Sequence, residues 1–305
     1  MKFSVAKTPL LTGKTAFVTG GNSGLGLETV KAIARRRAHV ILAARDEVKG
    51  MVAADSVRAE FPEASIEAIT LDLSSSASIK LAAQWFADTY EKLDILVNNA
   101  GLMAMPQGET EDGFETQFGV NHLGHWALTS LLMPQLLRAP AARVVTVTSL
   151  ARLFCSGINF ADPHSRKQYL PWDAYSQSKL ANYYFAIGLH REFKKSGASA
   201  KSLLAHPGLS HTNLAHETQR LGAGGSSGNL IMNLTATRGM SAANGALPQI
   251  RAALDSSVKS GEFYAPRFGK SGAPVIRPLL RPGSDIAIAK LWKLSEQETG
   301  LKLGF

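Results

Sequence analysis

The sequence predicts an α/β fold built on one doubly wound parallel sheet, and three observations support this. Short apolar runs alternate with helix-like patterns between residues 15 and 205. The first apolar run, Thr15 to Thr19, ends in glycines, which is typical of a buried parallel strand that leads into a tight turn. Leu27, Val30 and Ile33 then recur at the spacing of one helix face. Strands and helices in this alternation indicate right-handed βαβ crossovers and a parallel sheet.

The later elements continue the alternation. Further strands are predicted at His39–Ala43, Ile66–Leu71, Ile95–Asn98, Arg143–Ser149, Lys201–Ala205 and Glu262–Ala265. Helices are predicted near 46–60, 75–91, 112–138, 173–195 and 286–298. Because no linker divides the chain, we expect a single domain. Its parts are a core at 12–205, an insertion at 151–172, a Gly/Ser-rich segment at 208–240 and a C-terminal tail at 266–305.

Composition narrows the function classes. The single cysteine, Cys155, excludes an internal disulfide and fits a reducing cytoplasm. The stretch from Met1 to Thr12 is too short and too polar for a signal peptide, and no run of 18 apolar residues predicts a transmembrane segment. The formal charge of +9 fits either a solvated basic surface or attraction of a phosphorylated cofactor. Nucleic-acid binding is not expected, because no recognition module is visible.

A glycine turn lies where the first strand should meet the first helix. Gly20 permits a tight turn, and Gly24 lets the backbone approach a pyrophosphate without a Cβ in the way. Gly26 lets the helix pack close to the sheet, and the helix N-terminus presents N–H groups to phosphates. The strand–turn–helix context therefore predicts a dinucleotide site.

Three further stretches accompany this turn. Residues 98–101 read Asn-Asn-Ala-Gly after a strand, Ser149 ends the fifth strand, and residues 175–179 read Tyr-Ser-Gln-Ser-Lys at a helix start. Together with the glycine turn they resemble the short-chain dehydrogenase/reductase family over residues 12–212. The resemblance implies a Rossmann fold and transfer of a hydride between a nicotinamide cofactor and a carbonyl carbon.

The resemblance also implies the site residues. The catalytic set is Asn121, Ser149, Tyr175 and Lys179. The cofactor-binding set is Gly20, Asn22, Ser23, Gly24, Leu25, Gly26, Arg45, Asp72, Leu73, Asn99, Ala100, Gly101, Tyr175, Lys179, Pro207, Gly208 and Thr212. Ser149 would polarise the substrate carbonyl, and Asn121 either positions a water that relays protons to the lysine or is a buried structural residue. Asn98 looks structural. No metal site is expected, since no ligand set surrounds His122 and His125.

The spacing of Tyr175 and Lys179 has a chemical rationale. Four residues apart on a helix, the two side chains share one face. At about 4 Å and an effective dielectric near 20, an ammonium favours phenolate by about 4 kcal/mol, or roughly three pKa units. We therefore expect Lys179 to lower the pKa of Tyr175, which would act as the acid/base in ketone reduction.

Cofactor choice should be set at the end of the second strand. Ala44 stands where NAD-preferring members of the family would place an aspartate, and Arg45 follows it. A guanidinium there suits a 2′-phosphate, so NADP(H) is expected. The alternative is that Arg45 only ends the strand in solvent.

The substrate is expected to be a bulky apolar alcohol or carbonyl compound. Ser149 and Tyr175 stand 26 positions apart. The long insertion between them resembles the retinol-dehydrogenase-like branch, which implies retinoid-, steroid- or polycyclic-ketone-like substrates. The Gly/Ser-rich segment 208–240 is either a substrate lid or a disordered loop. The branch's animal members often carry an N-terminal membrane anchor that is not seen here, which favours a cytoplasmic enzyme, and family members are often homo-oligomers.

Two alternative functions remain open. The same scaffold supports reduction of a conjugated C=C bond, and a non-catalytic NADP(H)-binding scaffold protein would keep the glycine turn. The four catalytic residues weigh against the scaffold, because a silent protein needs none of them.

Overall fold

The computed structural model describes residues 3–210, 239–279 and 284–305. The strands are β1 (Thr15–Thr19), β2 (His39–Ala44), β3 (Ser65–Thr70), β4 (Ile95–Asn98), β5 (Arg143–Val147), β6 (Lys201–Ala205), β7 (Phe263–Pro266) and β8 (Pro274–Arg277). They form one eight-stranded sheet in the order β3-β2-β1-β4-β5-β6-β7-β8. All neighbours pair in parallel except β8, which runs antiparallel to β7. The predicted doubly wound sheet is confirmed.

Helices cover both faces of this sheet. They are α1 (Gly24–Ala34), α2 (Glu47–Glu60), α3 (Ser76–Thr89), α4 (Thr116–Phe118), α5 (Gly124–Leu131), α6 (Met133–Arg138), α7 (Pro171–Ser196), α8 (Ala242–Leu254) and α9 (Ser284–Thr299). One apolar core lies between the sheet and α1, α2 and α8, where Val30, Val57 and Ile250 are buried. A second lies on the opposite face, where α3, α5 and α7 contribute Ile79, Trp126 and Phe185. The result is the three-layer arrangement expected of parallel sheets.

The predicted helix at 112–138 is interrupted. A single turn of α4 runs into a π-helical segment, Gly119–Leu123, and α5 and α6 then meet at Leu132. The second break has a local cause, because Pro134 lies in the first turn of α6 and lacks the N–H that a continuous helix needs. The π segment is a feature that often accompanies functional sites, and it carries Asn121.

The C-terminal helix α9 packs on α7. A Cβ added at Gly188 in α7 would lie 2.2 Å from Cζ3 of Trp292 in α9. The Trp292 ring makes an edge-to-face contact with Trp126 and stacks on Phe185, with centroid distances of 4.9 and 5.9 Å. The tail beyond β8 is therefore anchored to the core by an aromatic cluster that depends on a glycine in α7.

Candidate active site

The candidate site lies at the carboxyl edge of the sheet. Because β1, β4, β5 and β6 are neighbours in parallel, their carboxyl ends meet at one edge, which is where open α/β sheets bind ligands. Gly20 follows β1, Asn99 follows β4, Ser149 lies two residues after β5, and Pro207 lies two residues after β6. The sheet thus gathers four stretches that the sequence places far apart.

The glycine turn between β1 and α1 has the geometry of a phosphate cradle. Gly20 and Gly24 have φ of 64° and 53°, a region that L-residues with a Cβ rarely adopt. A Cβ at Gly26 would lie 2.0 Å from the Gly20 carbonyl oxygen, so helix and turn approach closer than any side chain allows. The N-terminus of the 11-residue α1 opens directly from this turn. These residues fit a dinucleotide pyrophosphate.

Asn99 fixes the turn from the neighbouring strand. Its Nδ2 donates to the Thr19 carbonyl at 2.8 Å, and its Oδ1 accepts from Gln249 Nε2 at 2.9 Å. Gln249 also donates to Thr29 Oγ1 at 2.7 Å, so α8 ties α1 to the end of β4. Gln249 has no motif around it, and its role became visible only when the fold placed α8 beside α1. Asn98, by contrast, donates to Thr129 on α5, in keeping with a structural residue.

Helix α7 holds Tyr175 and Lys179 beside the end of β5. Thr148 Oγ1 donates to the Lys179 carbonyl at 2.7 Å, and Asn182 Nδ2 donates to the Val147 carbonyl at 3.2 Å. Both bonds fix the register of the helix against the strand. Lys179 Nζ lies 5.8 Å from the centroid of the Tyr175 ring.

Burial dominates the electrostatics of this pair. Tyr175 is 6% and Lys179 5% exposed. Burial raises the pKa of the Tyr175 phenol, and a hydrogen bond with the Ser149 hydroxyl opposes that rise. Burial also lowers the pKa of Lys179 to about 8. The expected fall in the pKa of Tyr175 is therefore wrong for this structure: removal of the phenol from water is the largest cause and raises its pKa, and the Lys179 ammonium is not among the causes of the shift.

Asn121 lies in the π-helical segment with its side chain fully engaged. Its Oδ1 accepts from the Leu102 N–H at 2.7 Å, and its Nδ2 donates to the Leu102 carbonyl and to Ser178 Oγ. Ser178 in turn donates to the Tyr175 carbonyl at 2.8 Å. Asn121 therefore connects the loop after β4 to the first turns of α7.

Gly101 marks the point where these groups converge. A Cβ added there would lie 2.9 Å from Asn121 Oδ1 and 3.0 Å from Lys179 Nζ. The backbone at the end of β4 thus approaches both side chains as closely as van der Waals contact permits. A side chain at this position would therefore press on the Asn121 amide and on the lysine.

The end of β2 presents Arg45 to solvent beside the glycine turn. The Gly21 N–H donates to the Ala43 carbonyl, which holds the turn against β2. Ala44 is buried and Arg45 is exposed. The nearby Asp46 carboxylate caps α2 by accepting from the Lys49 N–H at 3.0 Å. The Asp46 carboxylate is therefore occupied in capping α2.

Other predicted cofactor residues occupy the same edge or its borders. Asp72 Oδ1 accepts from the N–H and hydroxyl of Ser74, after the end of β3. The Leu73 side chain lies in the core formed with α3 and α5. Gly208 has φ of 75°, and a Cβ added there would lie 2.5 Å from the Lys270 carbonyl oxygen. Thr212 and most of the predicted lid at 208–240 lie outside the described residues.

The insertion between Ser149 and Tyr175 brings one aromatic side chain directly to the site. Trp172 meets the Tyr175 ring edge-to-face at a centroid distance of 5.9 Å. Tyr169 instead donates its hydroxyl to the Met105 carbonyl at 2.8 Å, and Phe160 packs toward α9. Phe154 is 74% exposed. Of the aromatic residues in this insertion, Trp172 is thus the one best placed to contact a substrate at Tyr175.

In the described part of the chain, no group of three or more His, Cys, Asp or Glu side chains could hold a metal ion. None of its helices is both long and apolar enough to cross a membrane.

The chain is similar to a known family and to several curated proteins. Residues 14–221 match a family model described as short chain dehydrogenase. The chain is 43% identical over 199 residues to retinol dehydrogenase 12 from Mus musculus, and the match covers 65% of this chain. It is 42% identical over 210 residues to polyprenol dehydrogenase from Mus musculus, covering 68% of this chain. The matched part spans 62% of the length of each of these two relatives.

Solved structures are also similar to this chain. An uncharacterized protein from Mycobacterium paratuberculosis is 38% identical over the whole of both chains, with a TM-score of 0.80. A short chain dehydrogenase from Shigella flexneri, complexed with NADP, shares the fold at 24% identity and a TM-score of 0.65, over 85% of this chain and 99% of that one. The family model covers more than half of the chain and matches the region that contains the glycine turn, Ser149, Tyr175 and Lys179. The chain therefore belongs to the short-chain dehydrogenase/reductase family of oxidoreductases, in its retinol-dehydrogenase-like branch.

Proposed function

We propose that this protein is an NADP(H)-dependent carbonyl reductase/alcohol dehydrogenase for bulky apolar substrates. The observation that carries the proposal is the convergence of Tyr175, Lys179 and Asn121 on the loop that follows β4, beside the glycine turn. Ser149, at the neighbouring strand end, is close enough to the tyrosine that its hydroxyl lowers the pKa of the Tyr175 phenol against the effect of burial. These side chains supply an acid, a hydroxyl donor and a buried amine around one point.

In the proposed mechanism, the nicotinamide cofactor supplies or accepts the hydride at the carbonyl carbon. The Ser149 hydroxyl hydrogen-bonds the substrate oxygen and stabilises the charge that develops on it. Because burial raises its pKa, the Tyr175 phenol is protonated at neutral pH and can donate its proton to that oxygen. Lys179, whose pKa is lowered to about 8, can take up and release protons near neutral pH and thereby re-protonate the tyrosine. Asn121 holds the segment that leads to the lysine.

Residues at the carboxyl edge would hold the cofactor. The turn from Gly20 to Gly26 would bind the pyrophosphate, and Asp72 would contact the adenine. Residues 99–101, Pro207 and Gly208 would line the nicotinamide end, and Thr212 is expected to join them. Lys179 would also hold the nicotinamide ribose.

The preference for NADP(H) rests on the end of β2. Ala44 offers no carboxylate for a free 2′-hydroxyl, and the Asp46 carboxylate is engaged in capping α2. The exposed Arg45 guanidinium can bind a 2′-phosphate, and a charge-assisted hydrogen bond contributes about 1.5–3 kcal/mol. That corresponds to a roughly 10- to 150-fold preference over NAD(H).

The substrate proposal rests on the insertion and on the relatives. Retinol and polyprenol, which name two of the relatives, are long apolar alcohols, and Trp172 contacts the Tyr175 ring at the site. An apolar wall next to the acid/base favours a substrate with a bulky apolar group beside its oxygen. We further propose that residues 208–240 form a lid over this substrate.

Turnover of polycyclic and aromatic ketones, followed by NADPH absorbance, tests the activity. Tyr175→Phe is expected to lower kcat by about 10²–10⁴-fold, because a positioned acid is lost, while NADPH affinity stays close to wild type. A variant that keeps half the wild-type rate contradicts the assignment.

Products formed with deuterated NADPH would show whether a C=C bond is reduced instead. Tight NADPH binding without turnover of any ketone, aldehyde or enone would favour a scaffold protein.

The cofactor preference has its own test. Replacing Ala44 by Asp and Arg45 by Ala together should reverse the preference, because the new carboxylate accepts from the ribose hydroxyl and repels a phosphate. Side-by-side titrations of NADPH and NADH by fluorescence measure both affinities. If the unmodified protein binds the two cofactors equally, the NADP(H) proposal is wrong.

A further inference from the structure

A buried histidine joins the glycine turn to the π-helical segment. His125, on α5, is 1% exposed. Its Nδ1 lies 2.9 Å from the main-chain carbonyl oxygen of Asn121, and its Nε2 lies 2.9 Å from Thr19 Oγ1. Thr19 is the last residue of β1 and directly precedes Gly20. One imidazole therefore bridges the two parts of the site that the sequence separates by about a hundred residues.

The hydrogen-bond partners fix the protonation of this ring. The Asn121 carbonyl can only accept, so Nδ1 must carry a hydrogen. Burial lowers the pKa of His125 to about 4, with a smaller contribution from the nearby Lys179 charge, so the ring is neutral at physiological pH. A neutral ring has one N–H, and Nε2 therefore accepts from the Thr19 hydroxyl.

The Thr19 hydroxyl oxygen extends the chain of bonds to β4. It accepts from the N–H groups of Asn99 and Ala100, each at 3.0 Å. The bonds thus run in one direction, from the backbone after β4 through Thr19 to His125 and on to the Asn121 carbonyl. The Asn121 side chain donates to Ser178 Oγ, and Ser178 donates to the Tyr175 carbonyl, so these bonds continue into α7. The Thr19 hydroxyl also lies 3.3 Å from the Val97 carbonyl oxygen, and its contact with His125 at 2.9 Å is the shorter of the two.

We propose that His125 is a positioning residue that holds the glycine turn and the Asn121 segment in mutual register. This proposal rests on the proposed function for its effect on turnover, but not for its effect on cofactor binding. The Nδ1–H bond orients the Asn121 carbonyl and hence the neighbourhood of Lys179. The Nε2 acceptor orients Thr19 and hence the two backbone N–H groups beside the glycine turn.

Two substitutions at His125 test its hydrogen bonds to Asn121 and to Thr19 separately. His125→Leu removes both bonds, whereas His125→Asn keeps an N–H at the position of Nδ1 and loses the acceptor that faces Thr19. We expect His125→Leu to lower kcat by about 10²-fold at saturating ketone and NADPH, as small displacements of catalytic groups do. His125→Asn should restore most of kcat but retain a weakened NADPH affinity, by about tenfold in both variants.

His122 provides the matched control. It lies three positions earlier, is equally buried and bonds Ser295 Oγ through Nε2 at 2.8 Å, away from Thr19. His122→Leu should lower the melting temperature much as His125→Leu does and keep kcat. Equal losses of kcat in the His122 and His125 variants, or equal losses in His125→Leu and His125→Asn, would show a packing role and overturn the proposal.

The outcomes also separate this proposal from the proposed function. If the wild-type protein reduces no carbonyl compound, the proposed function fails, and the NADPH titration alone decides on His125. Unchanged NADPH affinity in His125→Leu would then overturn the proposal that His125 positions the glycine turn. If that variant does not fold, Thr19→Val removes the hydroxyl at nearly constant volume and should weaken NADPH binding about tenfold. Unchanged affinity in Thr19→Val likewise overturns it.

Discussion

One residue of this site, Lys179, is held in a state that costs stability. Tyr175 and Lys179 are ionisable groups kept away from water, and burial works against the charged form of each. A protonated phenol suits proton donation, and a lysine with a lowered pKa suits proton exchange near neutral pH. Because Lys179 is charged at neutral pH, its burial reduces the free energy of unfolding, a conflict that is common at functional sites, whereas the neutral Tyr175 phenol bears no charge penalty there.

Lys179→Met should make this conflict measurable. The folded-state pKa of Lys179 is lowered to about 8, so the folded protein holds fewer protons than the unfolded chain between that pH and the ordinary lysine pKa. At pH 7 the wild-type protein bears the full cost of a buried ammonium, and the neutral variant should unfold at a higher denaturant concentration while losing turnover. The difference should shrink as the pH rises above 8, because the wild-type lysine then becomes neutral in the folded state.

Urea unfolding at pH 7 and pH 9.5 would check this expectation, with Lys302→Met, which removes an exposed lysine, as the control. A variant that is less stable than wild type at pH 7, or a stability difference that grows with pH, would contradict it.

Residue spacing predicted which groups meet, but not how buried they would be. The four-residue interval correctly placed Tyr175 and Lys179 on one helix, and the glycine spacing placed the turn between β1 and α1. The direction of the Tyr175 pKa shift was wrong, because it depends on desolvation by distant segments that a local pattern does not contain. Gln249 and His125 were missed for the same reason: their partners are distant in sequence.

At the scale of elements, regular parallel strands were the easiest to predict. The strands through β6 agree with the sequence pattern to within two residues at either end, because buried parallel strands are continuous apolar runs. Helix α8 was missed since Pro248 lies inside it, and proline normally argues against a helix interior. Strand β8 was missed because it begins with Pro274 at a sheet edge, where proline is tolerated.

Docking of α9 on α7 is the element-scale feature most open to test. Gly188→Val would place its Cβ 2.2 Å from Cζ3 and 2.5 Å from Cη2 of Trp292, which is too close for contact, so the tryptophan and α9 must move away. Overpacking of this kind costs about 1–3 kcal/mol, and we expect a lower melting temperature together with a change in tryptophan fluorescence.

Gly304→Ala is the matched control, because an added Cβ there would have no neighbour within 4 Å. If Gly188→Val melts at the wild-type temperature, α9 does not depend on the close approach at this glycine.

At the scale of the whole molecule, charge is the unusual property. Thirty-three lysines and arginines against 24 aspartates and glutamates give a formal charge of +9. Surface ion pairs such as Arg37–Glu63 and Arg58–Asp55 neutralise part of it locally, and each such pair contributes little to stability. The remaining positive field acts at longer range and favours encounters with anions. A nicotinamide cofactor is anionic, and a 2′-phosphate adds about −1.5 to −2 charges.

Ionic strength should therefore affect the two cofactors unequally. The Debye length falls from about 30 Å at 0.01 M salt to about 10 Å at 0.1 M, so added salt removes long-range attraction first. We expect kcat/KM for NADPH to fall more steeply than kcat/KM for NADH between these concentrations, because NADPH carries the larger charge.

Arg45→Ala separates the local contact from the field of the whole protein. This variant should weaken NADPH binding at every salt concentration, while most of the salt dependence persists because the other basic residues remain. Identical salt slopes for NADPH and NADH would show that the net charge does not steer the cofactor, and a slope abolished by Arg45→Ala would assign the whole effect to one guanidinium.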